Sequence, residues 1–272
     1  MTRVAVIGGG RIGEALVVGL IDAGYAIKDL VVAEHDGGRA ADLSSRLGVR
    51  VTDAAADAAE GADLVVLAVK PSDVDRVLTD LGRIELGGQR EQVLVSMVAG
   101  VSTSRYENKL PAGFPVVRVM PNTPILVGQG MIVIAPGRYA RPGHLETVGE
   151  VLGAVGRVTT VAENQMDAVT AVSGSGPAYC FLVAEALIDG AVGVGLSLRT
   201  ATELVVQTMV GAAAMLQESG ESPNDLRAAV TSPGGTTAAA VRELERAGVR
   251  SAFIEAVHAA KERSERHGSA TE

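Results

Sequence analysis

The stretch from Arg3 to Gly13 constrains this chain more than any other. Arg3-Val4-Ala5-Val6-Ile7 is a short apolar, β-branched run. It leads directly into Gly8-Gly9-Gly10-Arg11-Ile12-Gly13, after which Glu14-Ala15-Leu16-Val17-Val18-Gly19-Leu20 has helical character. The reading is strand, glycine turn, helix, with Gly8, Gly10 and Gly13 on the G-x-G-x-x-G spacing. The first glycine permits the tight turn, the second lets a pyrophosphate approach the backbone, and the third lets the helix pack closely on the strand. The helix N-terminus adds unpaired N–H groups and a partial positive charge that suit phosphates. The spacing alone is a weak signal, but the strand before it and the helix after it make this a dinucleotide site.

The first half continues to alternate. Leu30-Val31-Val32-Ala33 reads as a buried strand, and residues 36–47 as a helix ended by Gly48. Residues 63–69 form a continuous apolar run, as buried parallel strands do. Lys70-Pro71 stops it, and Ser72 is placed to cap a helix to about Leu81. Further strands are expected at 92–96, 116–119, 131–135 and 157–161, with helices from Ser102 or Thr103 to about Leu110 and over 142–155. Such alternation implies a doubly wound sheet with ligands at the carboxyl ends of its strands.

After about Glu163 the strand-like runs stop. Residues 178–194 are apolar nearly all round, broken by Glu185 and Asp189. Such a helix is expected to be buried within a domain or between subunits. Ser197 is placed to cap a long helix, Ser222-Pro223-Asn224-Asp225 has the cap, proline and acid of a helix start, and residues 236–246 read as a helix closed by Gly248. The last helix, over about 251–266, ends in a charged, solvated face. The fold class expected is therefore an α/β, Rossmann-like doubly wound sheet in a dinucleotide-binding domain over 1–162, followed by an all-α domain over 163–272.

Composition narrows the partners. A net charge of −8 argues against a general affinity for nucleic acid. One cysteine, Cys180, excludes an intramolecular disulfide and suits a reducing compartment, so a cytoplasmic location is expected. No run reads as both free of charge and apolar enough to span a bilayer, and no membrane partner is expected. The histidines at 35, 144, 258 and 267 are scattered without metal-ligand spacing, so no metal is assigned.

Four further motifs carry chemistry. Ala68-Val69-Lys70-Pro71 closes a strand at the edge where a dinucleotide would lie, and Met120-Pro121-Asn122-Thr123-Pro124 closes another at the same edge, with Asn122 offering an amide to a ligand or to the loop itself. Val172-Ser173-Gly174-Ser175-Gly176-Pro177-Ala178-Tyr179 precedes the apolar helix and lacks the spacing of a nucleophile elbow. Thr231-Ser232-Pro233-Gly234-Gly235-Thr236-Thr237 enters a helix, and its backbone N–H groups with two threonine hydroxyls would cradle a small anion, unless it is an ordinary glycine turn with a threonine cap. No histidine sits beside these loops as a proton donor.

Together the glycine loop and these four motifs closely resemble pyrroline-5-carboxylate reductase, in order and spacing, over essentially the whole chain. The resemblance implies reduction of the imine 1-pyrroline-5-carboxylate to L-proline by NADPH or NADH, and a helical domain that joins a partner's in a homodimer or higher homo-oligomer. It implies a substrate site of Glu163, Ser232, Gly234, Gly235, Thr236 and Thr237, with Thr237 as the catalytic residue at the imine nitrogen. It also implies a cofactor site of Gly8, Gly9, Gly10, Arg11, Ile12, Gly13, Glu34, His35, Ala68, Val69, Lys70, Pro71, Met97, Val98, Ala99 and Asn122. One departure concerns the end of the second strand. Glu34-His35-Asp36 puts acids where small or hydroxyl residues are often found. An acid about 20 residues past the glycines accepts the ribose 2′-hydroxyl of NAD and repels a 2′-phosphate, yet Arg39 one turn on could serve that phosphate. A β-hydroxyacid dehydrogenase is a rival reading, but it needs a lysine in the first helix of the second domain, and residues 178–195 contain none. A non-catalytic dinucleotide sensor is the other, and the intact 231–237 motif argues against it.

Overall fold

The computed structural model describes residues 2–82 and 92–269, with side chains to 266, so His267 lies outside the described side chains. Contacts divide the chain into two compact units, Met1–Ser175 with Ala260–Glu272, and Gly176–Ala259.

The first unit is built on a sheet of eight strands among the described residues: β1 (Val4–Ile7), β2 (Leu30–Ala33), β3 (Arg50–Thr52), β4 (Leu64–Leu67), β5 (Val93–Ser96), β6 (Val116–Met120), β7 (Gly130–Pro136) and β8 (Gly156–Thr160). Their order is β3-β2-β1-β4-β5-β6-β7-β8. Every neighbouring pair is parallel except β6 and β7. The order reverses between β1 and β4, which opens the ligand crevice outside their carboxyl ends. Alternate residues face opposite sides of the sheet. Val4, Val6, Leu64, Val66, Val93 and Val95 pack on one side with α1 (Arg11–Asp22). Ala5, Ile7, Val65, Leu67 and Leu94 pack on the other, against α3 (Ala55–Ala59), α4 (Val74–Leu81) and α5 (Thr103–Glu107). The helix α2 (Gly37–Leu47) is capped by the Asp36 carboxylate, which accepts from the Arg39 N–H at 2.8 Å, and ends on Gly48 at φ +69°.

The expected doubly wound sheet is present, and several details differ. The strand β3 and the helix α3 were not expected. Ser72 does not cap α4: a 3-10 turn, Pro71–Asp73, comes first, because proline fixes the backbone there. The helix α6 (Pro142–Leu152) gives way to a 3-10 turn at Gly153–Val155 before β8. After α7 (Met166–Val169) the chain widens into a π-helical turn, Thr170–Gly174, in which Ser175 N–H donates to the Thr170 carbonyl at 2.8 Å.

The second unit is helical: α8 (Gly176–Gly193), α9 (Leu198–Glu218), α10 (Pro223–Ala229), α11 (Thr236–Arg246) and the start of α12 (Val249–Ser269). The Ser197 and Ser222 hydroxyls cap α9 and α10, each accepting a backbone N–H at 3.2 Å. The helix α8 buries none of its residues within the chain: Phe181 is 67% exposed, Leu182 64% and Leu187 52%. Within Glu163–Gly193, an 18-residue window of mean hydropathy 1.3, 6% of it buried, is long and apolar enough to cross a membrane by length and composition, although no stretch of that length there is free of charge. Glu185 and Asp189 are too few among Ala, Val and Leu to lower the average, and a helix buried between subunits has the same profile.

Candidate active site

The glycine loop follows from packing. A Cβ on Gly8, at φ +107°, would stand 2.6 Å from the Ala68 carbonyl oxygen, so β1 and β4 can approach only with glycine there. A Cβ on Gly13 would stand 2.0 Å from the Gly8 carbonyl oxygen. Gly13→Ala is accordingly expected to overpack the first turn of α1 and destabilise the protein by about 1–3 kcal/mol, read as a lowered melting temperature. Gly10 is different. A Cβ there meets nothing within 4 Å, and its backbone at φ −73° and ψ −176° suits any residue. The space beside Gly10 is open at the N-terminus of α1, where Arg11, Ile12 and Gly13 present N–H groups not used within the helix. That is an anion cradle that a side chain would fill, and it fits a pyrophosphate.

Around it, residues 68–71 leave β4, with Lys70 and Pro71 exposed. Met97 and Val98 are buried at 9% and 2%, so of the trio after β5 only Ala99 reaches the surface. Pro71, Ala99 and Gly100 line a cavity of about 490 Å³ with Thr170, Ser175, Ala260, Arg263 and Ser264, and its wall is mainly apolar. The Ser264 hydroxyl donates to the Asp167 carboxylate at 2.6 Å, which fixes that end of α12 against α7. Sequence reasoning missed the contribution of α12, because a charged helix end reads as solvated whether or not one of its arginines faces a cavity.

The side chains of Glu34, Asn122 and Glu163 are each engaged within the fold. Burial alone would raise the Glu34 carboxyl, but N–H donors from Asp36, the Arg39 guanidinium and Gly9 hold it below the ordinary carboxylate range. Gly9 N–H donates to it at 3.0 Å, Asp36 N–H at 2.8 Å and Arg39 Nη1 at 3.0 Å, while the His35 Nδ1 lies 3.3 Å away on an exposed ring. The Asn122 amide accepts from Met131 N–H at 2.9 Å and donates to the Ser173 carbonyl at 3.1 Å, tying β7 to the π-helical turn. The Glu163 carboxylate accepts from the Thr103 N–H at 2.7 Å and from the Thr103 hydroxyl, with Arg118 Nη1 at 3.5 Å. It therefore stabilises the N-terminus of α5. Nearby, Tyr106 is buried against Ser96, its hydroxyl 2.6 Å from the serine Oγ. Burial pushes the Tyr106 phenol up to about 12.

In the second unit, Gly234 turns the chain at φ +72° and Gly235 is the N-cap of α11, without a side-chain cap. A Cβ on Gly235 would lie 2.6 Å from Ser232 Oγ, so a larger residue there requires the serine side chain to move. Thr236 and Thr237 occupy the first two helical positions, so the threonine-cap alternative is not what forms. The N–H groups at the start of α11 and the threonine hydroxyls stand together at one helix end. The structure thus groups residues 8–13, 34–35, 68–71, 97–99, 122 and 163 in one unit and residues 232–237 in the other.

Comparison with known proteins decides what this arrangement belongs to. Residues 163–267 match the family described as pyrroline-5-carboxylate reductase dimerisation, and residues 3–100 match NADP oxidoreductase, coenzyme F420-dependent. The chain is 54% identical to the pyrroline-5-carboxylate reductase of Mycobacterium tuberculosis, over 97% of this chain and 96% of that protein. The chain belongs to the pyrroline-5-carboxylate reductase family. Solved structures agree: a pyrroline-5-carboxylate reductase from Coxiella burnetii superposes with a TM-score of 0.92 at 36% identity, covering 98% of each chain. The pyrroline carboxylate reductase of Plasmodium falciparum, solved with NADP bound, gives 0.86 at 29% identity and the same coverage. As a pyrroline-5-carboxylate reductase, the protein is an NAD(P)H-dependent oxidoreductase acting on an imine in the final step of proline biosynthesis. The exposed apolar face of α8 falls in the reductase's dimerisation region.

Proposed function

We propose that the protein reduces 1-pyrroline-5-carboxylate to L-proline, with the dinucleotide held by the loop at residues 8–13, the substrate held by residues 232–237, and Thr237 as the catalytic residue. The observation that carries this is the start of α11, where a glycine N-cap leaves backbone N–H groups and two threonine hydroxyls without a side-chain cap. The N–H groups of Gly235, Thr236 and Thr237 hold the substrate carboxylate, helped by the helix dipole. Ser232 and Gly234 shape that turn. The Thr237 hydroxyl orients the imine nitrogen and accepts or donates its hydrogen bond as the nitrogen changes hybridisation. A nicotinamide, when bound, supplies the hydride for the imine carbon. A cyclic imine that arrives protonated needs no strong catalytic acid, so the protein acts by positioning, an effect worth up to about 7–11 kcal/mol.

Residues 8–13, Ala68, Val69, Lys70, Pro71 and Ala99 are assigned to cofactor binding, with Met97 and Val98 supporting Ala99 from the core. Glu163 is assigned to the substrate site and Asn122 to the cofactor site, each held in place by its bonds to Thr103 and to the π-helical turn. The functional division is a nucleotide domain over 1–162 and a substrate and dimerisation domain over 163–272. A cytoplasmic location is part of the proposal, supported by the use of one cysteine, and the net charge of −8 supports a small-molecule enzyme without a nucleic-acid partner. The test is oxidation of NADH and NADPH, in parallel, with synthetic 1-pyrroline-5-carboxylate. The expected result is substrate-dependent oxidation with proline formed, and no oxidation with either cofactor would overturn the reading.

The assembly is expected to be an obligate homodimer through the helical half, because α8 and α9 leave Phe181, Leu182, Leu204 and Val210 at least half exposed in the single chain. Sedimentation should show a dimer down to low micromolar concentration, and a stable folded monomer there contradicts it.

A further inference from the structure

Glu34 stands at the carboxyl end of β2, where the adenosine ribose of a bound dinucleotide lies in this fold. Its side chain is only 2% exposed, and it is part of the glycine loop: one oxygen takes the Gly9 N–H at 3.0 Å, the other the Asp36 N–H at 2.8 Å. Turning the carboxylate away would strip both N–H groups of their acceptor, so the buried anion stays in place whichever dinucleotide binds. Arg39, the cation best placed to meet a 2′-phosphate, is drawn toward the same carboxylate, with its Nη1 at 3.0 Å. The crevice beyond carries two more carboxylates and one arginine. His35, Asp53, Arg76 and Asp80 line it, and Arg76 lies 3.7 Å from the Asp73 carboxylate. A phosphate carrying about two negative charges meets mostly carboxylates here. A neutral 2′-hydroxyl can donate instead to Oε1, which takes the Asp36 N–H and has a second lone pair, whereas Oε2 already takes both the Gly9 N–H and Arg39.

We propose that this reductase selects NADH over NADPH, and that Glu34 sets the choice by repelling a 2′-phosphate and by holding Arg39 away from it. The proposal rests on the glycine loop being the dinucleotide site. Like-charge juxtaposition of this kind costs enough to expect about tenfold or more in favour of NADH.

The test combines equilibrium binding with rates. ADP-ribose and its 2′-phospho derivative are titrated into the dimeric enzyme, and kcat/KM is measured for NADH and NADPH with saturating imine. The wild type should bind ADP-ribose more tightly than the 2′-phosphate derivative, by about tenfold, and show the same order in kcat/KM. Glu34→Gln keeps an acceptor for the Gly9 N–H and removes the charge, so it should shift both ratios toward the phosphorylated ligands. Adding Arg39→Gln to that variant should abolish the gain, because the released guanidinium is what meets the phosphate. A wild type that binds the two probes equally, or favours the 2′-phosphate, overturns the proposal. So does a Glu34→Gln enzyme whose ratios stay where they were. If that variant does not fold, the wild-type binding ratio decides. Tight ADP-ribose binding without imine-dependent oxidation would instead count against the assigned reaction and leave this selectivity standing.

Discussion

Gly10→Val is expected to abolish dinucleotide binding while the protein still folds. Both halves of that result follow from the geometry. No atom of the protein lies within 4 Å of where the new Cβ would stand, and the backbone there is extended, so the Cβ meets no clash and the backbone no strain. The space it fills is the space above the first turn of α1, where a pyrophosphate would receive the unpaired N–H groups. Losing two charge-assisted hydrogen bonds of about 1.5–3 kcal/mol each lowers affinity by about two to four powers of ten. Titration of NADH, NADPH or ADP-ribose against the variant measures this, with its melting curve as the control. An unchanged affinity in a normally melting variant would remove the cofactor site from this loop. The contrast with Gly13 sharpens the result, since the same loop then yields one substitution that spares the fold and one that damages it.

Thr237→Val is expected to slow turnover by about one to two powers of ten, the equivalent of a lost hydrogen bond to a charged group, about 1.5–3 kcal/mol. Valine keeps the β-branched shape at the second position of α11. The carboxylate-binding N–H groups belong to the backbone and survive the change. Cofactor affinity should stay near wild type, because the residues assigned to it lie in the other unit. A threonine acting only as a helix cap would show lower stability with turnover per folded molecule intact. Gly235 already holds the cap position, so the melting temperature is expected to hold while the rate falls. A full-rate Thr237→Val enzyme ends the catalytic role assigned to this hydroxyl.

What could be read from the sequence was what burial writes into it. The runs at Val4–Ile7, Leu30–Ala33 and Leu64–Leu67 are apolar because both of their faces are covered, and they are found where expected. The strand Arg50–Thr52 escaped notice because it is three residues long and sits at the sheet edge, half-exposed. The helix Ala55–Ala59 escaped because five residues, four of them alanine, show no periodicity. The direction of β7 relative to β6 leaves no trace in composition, and neither does the π-helical turn. At the site, the glycine spacing and the 231–237 motif were legible because few residue types satisfy those backbones. The bonds of Glu34 were not. An acid at that position has a familiar reading toward the ribose, and nothing local announces that its oxygens accept the Gly9 and Asp36 N–H groups.

The course of α12 bears on how this protein can be taken apart. The helix begins at Val249 in the helical unit, and from Ala260 onward its residues belong with the sheet. No single scission of the polypeptide therefore yields both units whole. A cut after Ser175 strands the returning segment on the wrong fragment, and Asp167 loses the Ser264 hydroxyl with it. A stop codon a dozen residues early would read, in the gene, as damage to the dimerisation half. In the protein it removes part of the wall of the cavity beside Pro71 and Ala99, so the lesion falls on the unit that holds the sheet instead.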